Sequence, residues 1–250
     1  MKNTIETYLN SLSEDILILS IERRCITSLP DLIRFKDLKQ LYCCNNQLSS
    51  LPTNLPEDLE ILYCSNNKLT SLPDLTRLKK LRALYCTNNE LSSLPTNLPE
   101  DLEILYCSCN QLTSLPDLTR LKKLEALYCS NNQLSSLPTT LPENLKLLFC
   151  FDNKITYFPT LHEEIVYFIY SNNPISNLLD NNNNSLIKVK QNIIIVNNFR
   201  HLYYSLQFKK QLIKWLWKSR EKKIMDKYHP NYLLENLEDN TDLDELLNNW

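Results

Sequence analysis

One twelve-residue frame recurs along the first 180 residues and leaves few architectures open. A clear copy reads Leu62-Tyr63-Cys64-Ser65-Asn66-Asn67-Lys68-Leu69-Thr70-Ser71-Leu72-Pro73. The same frame begins at Leu41, Leu84, Leu105 and Leu127, and in altered form (LFCFDNKITYFP) at Leu148. Aligned on one asparagine, the copies fall at Asn46, Asn67, Asn89, Asn110, Asn132, Asn153 and Asn173, in steps of 21, 22, 21, 22, 21 and 20. An earlier copy, Ile16 to Pro30, fits 22 residues upstream with Arg24 at the asparagine position, which makes about eight units. One such unit is too small to bury its own apolar side. It must stack on its neighbours, so the period predicts a solenoid.

The spacing within the frame predicts a short strand. Side chains alternate across a strand, so Leu62 and Cys64 point one way and Tyr63 the other. Stacked units then form a parallel sheet, with Leu and Cys in the core and the tyrosines on the open face. The Leu-Pro segments form the return. Proline fixes an extended or turn-like backbone there and lacks the N–H that a helix interior needs.

The pattern L-x-x-L-x-C-x-x-N-x-L-x-x-L-P resembles the leucine-rich repeat, with Cys in place of the third Leu. The form with a second proline, LPTNLPEDLEIL at Leu51 and Leu94, is similar to the short proline-rich repeats of bacterial effector proteins. The resemblance implies an α/β solenoid: a right-handed leucine-rich-repeat horseshoe with a parallel concave sheet and helical N- and C-terminal caps. It also implies that the recurring Asn turns inward and satisfies the backbone of the bend. The stretch from Lys210 to Leu237 is similar to a C-terminal segment of repeat proteins from giant DNA viruses of amoebae, which implies an origin rather than an activity.

The chain divides on this reading into a cap at 1–15, repeats and closing strands at 16–197, and a helical C-terminal cap with an acidic tail at 198–250. Ile5, Tyr8, Leu9 and Leu12 stand at helical spacing in the first segment. Within the repeats, Leu38–Lys80 and Leu81–Lys123 agree at 37 of 43 positions, so two-unit blocks were duplicated. One unit of each block returns through SSLPTNLPEDLE. The other returns through TSLPDLTRLKKL, where Asp74 or Thr76 is placed to cap a short helical turn. The backs alternate in charge (Glu57, Asp58 and Glu60, then Arg77, Lys79, Lys80 and Arg82), as expected of a solvated surface with neighbouring ion pairs.

After Leu145 the frame decays, and Asn181–Asn184 reads as a polar loop. The β-branched run Leu186–Val196 is expected to add one or two strands to the sheet. Ser205–Tyr228 reads as a helix ending before Pro230. Lys209–Lys227 holds eight basic and two acidic residues, a net of +6, and Tyr228–Trp250 holds six acids and no Lys or Arg. Equal and opposite charge in adjacent segments predicts that they pair within the chain.

Net charge is -2, and no run of 18 apolar residues occurs. The polar start MKNTIETYLNSLSED has no signal-like core, so a soluble, intracellular protein is expected. Glycine is absent, whereas asparagine occurs 30 times and alanine twice, a bias that an AT-rich genome accounts for. Turns that need positive φ should therefore fall to Asn.

Three ladders of side chains compete for a functional reading. Cys43, Cys64, Cys86, Cys107, Cys129 and Cys150 occupy inward positions, where cysteine packs as a small apolar residue. Strands about 4.8 Å apart with parallel Cβ vectors are too wide for a disulfide. Nine reduced cysteines point to a reducing compartment. Cys44 and Cys109 are expected on the open face, about 15 Å apart and prone to oxidation. The tyrosine ladder is different: no fold requirement calls for a large aromatic at an exposed strand position, although side-by-side stacking and copying by duplication offer a structural account. Tyr42, Tyr63, Tyr85, Tyr106, Tyr128 and Phe149 project from the sheet over about 24 Å and make a candidate partner-binding stripe.

Nothing in the sequence supports catalysis. His162, His201 and His229 are scattered, and no phosphate loop, nucleophile elbow or metal motif is present. No cofactor, metal or small-molecule substrate is expected. The function expected is a non-catalytic protein–protein interaction module that binds a protein, a host protein if the chain is viral, through the concave Tyr-lined face. Two alternatives remain open. One is a structural or self-associating virion protein. The other is binding of anionic lipid or nucleic acid by the basic helix.

Overall fold

The computed structural model describes residues 2–179 and 185–228, and the chain divides into two units, Met1–Ile195 and Val196–Trp250. In the first unit a helix, α1 (Lys2–Asn10), precedes eight three-residue strands. These are β1 (Ile18–Ser20), β2 (Gln40–Tyr42), β3 (Ile61–Tyr63), β4 (Ala83–Tyr85), β5 (Ile104–Tyr106), β6 (Ala126–Tyr128), β7 (Leu147–Phe149) and β8 (Tyr167–Ile169). They form one parallel sheet in strict chain order. The register follows the repeat frame: Leu41 pairs with Leu62, Leu62 with Leu84, and Tyr63 with Tyr85. Rungs of 21 or 22 residues therefore stack like on like, and each turn of the solenoid buries the Leu and Cys of its neighbour.

Hydrogen bonding between rungs continues past each strand. Cys64 N donates to Tyr85 O at 2.8 Å and Asn66 N to Thr87 O at 2.9 Å. The backbone then bends at the residue before the ladder asparagine, where φ lies between 52° and 57° in all eight rungs. Asn45, Asn66, Asn88, Asn131 and Asn172 take this left-handed position, and Arg23, Cys109 and Asp152 take it in the other three. In a chain without glycine, Asn carries most of these bends, as expected.

The ladder asparagine clamps each bend to the rung before it. Asn110 Nδ2 donates to Cys107 O and Ser108 O of its own rung and to Cys86 O of the preceding one, each at 3.1 Å. Its Oδ1 accepts from Leu91 N of the preceding rung at 3.0 Å. The same pattern is made by Asn67, Asn89, Asn132, Asn153 and Asn173. One side chain thereby bonds four backbone groups of the bend, and Cys86 O and Cys107 O each accept from two successive ladder asparagines.

The core is a column of leucines and thiols. Leu41, Leu62, Leu84, Leu105, Leu127 and Leu148 are fully buried, as are the six ladder cysteines. All nine cysteines are free. The return through TSLPDLTRLKKL is not a helical turn. It is two successive turns, Leu75 O to Leu78 N at 3.0 Å and Leu78 O to Leu81 N at 2.9 Å. Asp74 serves that bend as an Asx turn, its Oδ1 accepting from Thr76 N at 2.9 Å, because a rung this short leaves no room for a full helical turn. Along the back, Glu57 pairs with Arg77, Glu100 with Arg120, Asp58 with Lys80, and Asp101 with Lys123. These pairs join the two units of each 43-residue block; being exposed and screened by water, they add little to stability.

Both ends of the first unit are capped. On α1, Ile5 and Leu9 are buried against the first rung. The Arg24 guanidinium lies 3.8 Å over the Tyr8 ring. Arg34 holds the end of the cap, donating to Asn10 Oδ1 at 3.0 Å and to Leu12 O at 2.9 Å. At the other end, a short helix α2 (Ser176–Leu179) is followed by α3 (Leu186–Tyr228).

The expected closing strands at Leu186–Val196 are absent; this run is the start of α3. Val189 and Ile193, one helical turn apart, are buried, while Ile187, Ile194 and Ile195 are exposed. That is a helical period, which the β-branched composition concealed. A rung of this sheet also needs inward Leu and Cys in the repeat frame, and 186–196 supplies no such frame. Lys190 Nζ fastens the helix by donating to His162 O at 2.6 Å and Glu163 O at 3.1 Å.

In the second unit, described through Tyr228, α3 continues as a single helix. The expected helix at Ser205–Tyr228 is thus the later part of a 43-residue one. No described helix is long and apolar enough to cross a membrane. The polar loop expected at Asn181–Asn184 and the acidic tail beyond Tyr228 lie outside the described residues.

Candidate binding face

Strand alternation puts the middle residue of each strand in the core and the flanking two on the open face, and the burial follows it. In-register pairing then places the third residues of successive strands side by side. Tyr42, Tyr63, Tyr85, Tyr106, Tyr128 and Phe149 form one unbroken stack, with ring centroids 4.7, 4.1, 4.9, 3.9 and 4.5 Å apart in order. Adjacent ring planes tilt by 8° to 28°. The rings cover one another's faces, so the stripe offers edges and hydroxyls to a partner. Each ring is half-buried.

The stack is not uniform. Tyr63 with Tyr85 and Tyr106 with Tyr128 are the two close pairs, at 4.1 and 3.9 Å. Burial, then the neighbouring phenol of the pair, pushes the Tyr63 phenol up to about 12, and the Tyr106 phenol is raised by the same causes. The pairing repeats the duplicated block: Ile61 and Ile104 precede the first tyrosine of each pair, and the small, buried Ala83 and Ala126 precede the second. At the near end, Tyr42 Oη donates to Gln40 Oε1 at 2.9 Å.

The same face continues beyond the stripe onto β8. Tyr167 is 62% exposed and Ile169 42%, beside half-buried Leu147, Phe149 and Phe151. Sequence reading passed over Tyr167 and Ile169 because their rung has lost the Leu-x-Cys frame, although Asn173 keeps the register that identifies them. In the row beside the stripe, Ser130 is 2% exposed and its hydroxyl makes no hydrogen bond.

The thiols are less accessible than their positions promised. Cys44 is buried rather than exposed on the face, and burial pushes its thiol up to about 11. Burial and the raised thiol leave it a poor nucleophile. Cys109 is exposed as expected, and so is Cys25, which sequence reading overlooked. In the ladder, burial raises Cys86 to about 12 and holds Cys64, Cys107 and Cys129 well above the ordinary thiol value. These sulfurs are neutral packing groups.

Elsewhere, a cleft of about 590 Å³ on the back is lined by Thr96, Pro99, Glu100, Asp117 and Arg120. It is the groove between successive returns, spanned by the Glu100–Arg120 pair. His162 is engaged with Leu141 O at 2.9 Å, and His201 stands exposed on α3. Among the described residues, no three His, Cys, Asp or Glu are grouped to hold a metal ion.

The sequence matches the family model "Leucine Rich repeats (2 copies)" over residues 58–100 and 101–143. Among solved structures, a Shigella effector leucine-rich-repeat domain is 32% identical, over 69% of this chain and 75% of that one, with a TM-score of 0.57. YopM, a leucine-rich effector protein from Yersinia pestis, is 34% identical over 64% of this chain and 44% of its own, with a TM-score of 0.58. YopM from Yersinia enterocolitica is 31% identical over 68% and 40%, with a TM-score of 0.57. The chain therefore spans less than half the length of either Yersinia structure. The search of curated proteins found no match.

Proposed function

Because this chain belongs to the leucine-rich-repeat family, we propose that it is a non-catalytic interaction module whose protein partner docks on the Tyr-lined face of the sheet. Proteins of this family generally serve as protein-interaction modules. The observation that carries the choice of face is the unbroken stack of six rings from Tyr42 to Phe149. Large, pre-ordered aromatic groups give contact area with little further loss of side-chain freedom, and such residues dominate binding energy at protein interfaces. The exposed Tyr167 and Ile169 extend the apolar part of that surface. The back is instead a run of exposed ion pairs, of the kind that solvates a surface.

The similarity to effector structures favours a partner in a host cell. Nine free thiols suit a reducing compartment.

The test is affinity capture from host lysate with three baits: wild type, the Tyr85→Glu, Tyr106→Glu variant, and a Lys79→Glu, Lys122→Glu control on the back. The reading expects a protein held by wild type and control and lost by the tyrosine variant. Matched circular dichroism establishes that each bait is folded. Retention by the tyrosine variant refutes the assignment of the face. Concentration-dependent oligomers with no captured protein would favour a structural, self-associating role.

A further inference from the structure

Strand β1 is an edge of the sheet and pairs with β2 alone. Its alternate residues make that pairing. Leu17 O accepts from Gln40 N at 3.1 Å, Ile21 N donates to Tyr42 O at 2.8 Å, and Arg23 N donates to Cys44 O at 3.3 Å. Gln40, Tyr42 and Cys44 thus bond to the rung before them, and their counterparts in the first rung are Ile18, Ser20 and Glu22. No rung precedes β1, and α1 adds no strand to it. The backbone N–H and C=O groups of Ile18 and Ser20 therefore face outward without a backbone partner among the described residues. Beside them, Leu17 is 51% and Ile18 57% exposed. An open edge of this kind is a template for another strand, and a proline or a charge within the strand is a usual guard against that. The strand itself, Ile-Leu-Ser, carries neither.

The sequence about this edge is complementary to its own reverse. Glu14 and Asp15 precede it, Arg23 and Arg24 follow it, and Leu19 lies at the midpoint. Laid antiparallel on a second copy about Leu19, the segment sets Asp15 against Arg23 and Glu14 against Arg24. Leu17 then meets Ile21, and Ile18 meets Ser20 as a hydrogen-bonded pair, because both turn their backbone outward. Ile16 with Glu22 is the one mixed pair. Among the described residues, Glu14 and Arg23 make no ion pair, and Asp15 accepts only from Ser13 Oγ and the backbone of its own bend. The other edge of the sheet lacks this match. Continuing the repeat head to tail, β8 on β1, brings Glu163 and Glu164 beside Glu14 and Asp15, where like charges repel. Setting β8 antiparallel on itself about Phe168 puts Glu164 against Asn172, not against a base. Charge therefore selects two β1 edges, a closed two-fold arrangement rather than a filament.

We propose that two copies of the chain join through their β1 edges, antiparallel about Leu19, with Asp15 of each copy against Arg23 of the other. Two eight-stranded sheets become one. Edge pairing adds no layer over a sheet, so the tyrosine stripes of both copies stay open and the dimer presents two of them. The proposal does not depend on what binds the stripe.

The experiment is sedimentation equilibrium of the full chain under reducing conditions, with circular dichroism to establish that each variant is folded. The variants are Asp15→Arg, Arg23→Glu, the two combined, and Ser20→Pro. Ser20→Pro removes an outward N–H and leaves the bonds from β1 to β2 in place, since an edge strand accepts proline on its open side. Wild type is expected to dimerise. Each single charge reversal, and Ser20→Pro, should raise the dimer dissociation constant by about tenfold or more. The combined exchange should restore dimers, and so should an equal mixture of the two single charge variants, because opposite charges then face each other again. Wild type that stays monomeric at about 0.1 mM overturns the proposal. So does a dimer indifferent to these substitutions, a folded combined variant that remains monomeric, or growth beyond the dimer.

Discussion

The rings of Tyr106 and Tyr128 lie 3.9 Å apart between centroids and tilt by only 12°. They belong to strands β5 and β6, which pair residue for residue, so the contact is a consequence of repeat register. Stacking stabilises the fold and also orders the surface. Tyr106→Ala removes contacts to Tyr85 and Tyr128 together and should cost about 1–3 kcal/mol. Tyr106→Phe keeps both contacts and should cost far less. Urea midpoints of the two variants decide it: equal losses would mean that ring stacking contributes nothing to stability.

The ladder asparagines are predicted to matter more than the rings. Asn110→Ala strands the Leu91 N–H in a buried bend and takes one of two donors from each of three carbonyls, at a cost of about 3 kcal/mol or more. Arg24 holds the same frame position in the first rung, where no rung precedes it, and its contact is the stack on Tyr8. Arg24→Ala should cost only about 1 kcal/mol. A reversed order in urea melts would break the account of the clamp.

This contrast shows what was legible from sequence. Seven in-frame asparagines set strand positions, register and the inward Leu and Cys, because a period that regular admits one stacking. The stripe followed from alternation alone. The cap after Leu179 did not, because its signal is only Val189 and Ile193 within a β-branched run. The closer pairing of tyrosines within each duplicated block is a matter of ring distance and tilt, which spacing does not encode. Nor does spacing show that Cys44 is buried while Cys25 stays open.

Thiol labelling reads that burial directly. With a water-soluble disulfide reagent at neutral pH, Cys25 and Cys109 should react promptly and the seven buried cysteines only on unfolding. Prompt modification of Cys44 would place it back on the open face.

Alkali should destabilise the fold through the same thiols. Cys86 is shifted from 9.0 in the free state to about 12 in the fold. Its contribution is therefore complete below pH 9 and is lost as pH rises toward 12. The loss approaches about 1.4 kcal/mol per pH unit for each such thiol. Urea midpoints should stay level up to pH 9 and fall above it, less steeply in Cys86→Ala. A midpoint unchanged through pH 11 would contradict buried, neutral thiols.

The central claim is that a protein docks on the tyrosine stripe. The most direct measurement is the affinity of the captured partner for single Tyr→Ser variants at each rung from Tyr42 to Tyr128, against Lys122→Glu on the back. Losses of about tenfold or more, greatest at the central Tyr85 and Tyr106 and absent in the Lys122 variant, are the predicted result. Affinity that ignores the stripe, or falls equally with Lys122→Glu, would contradict it.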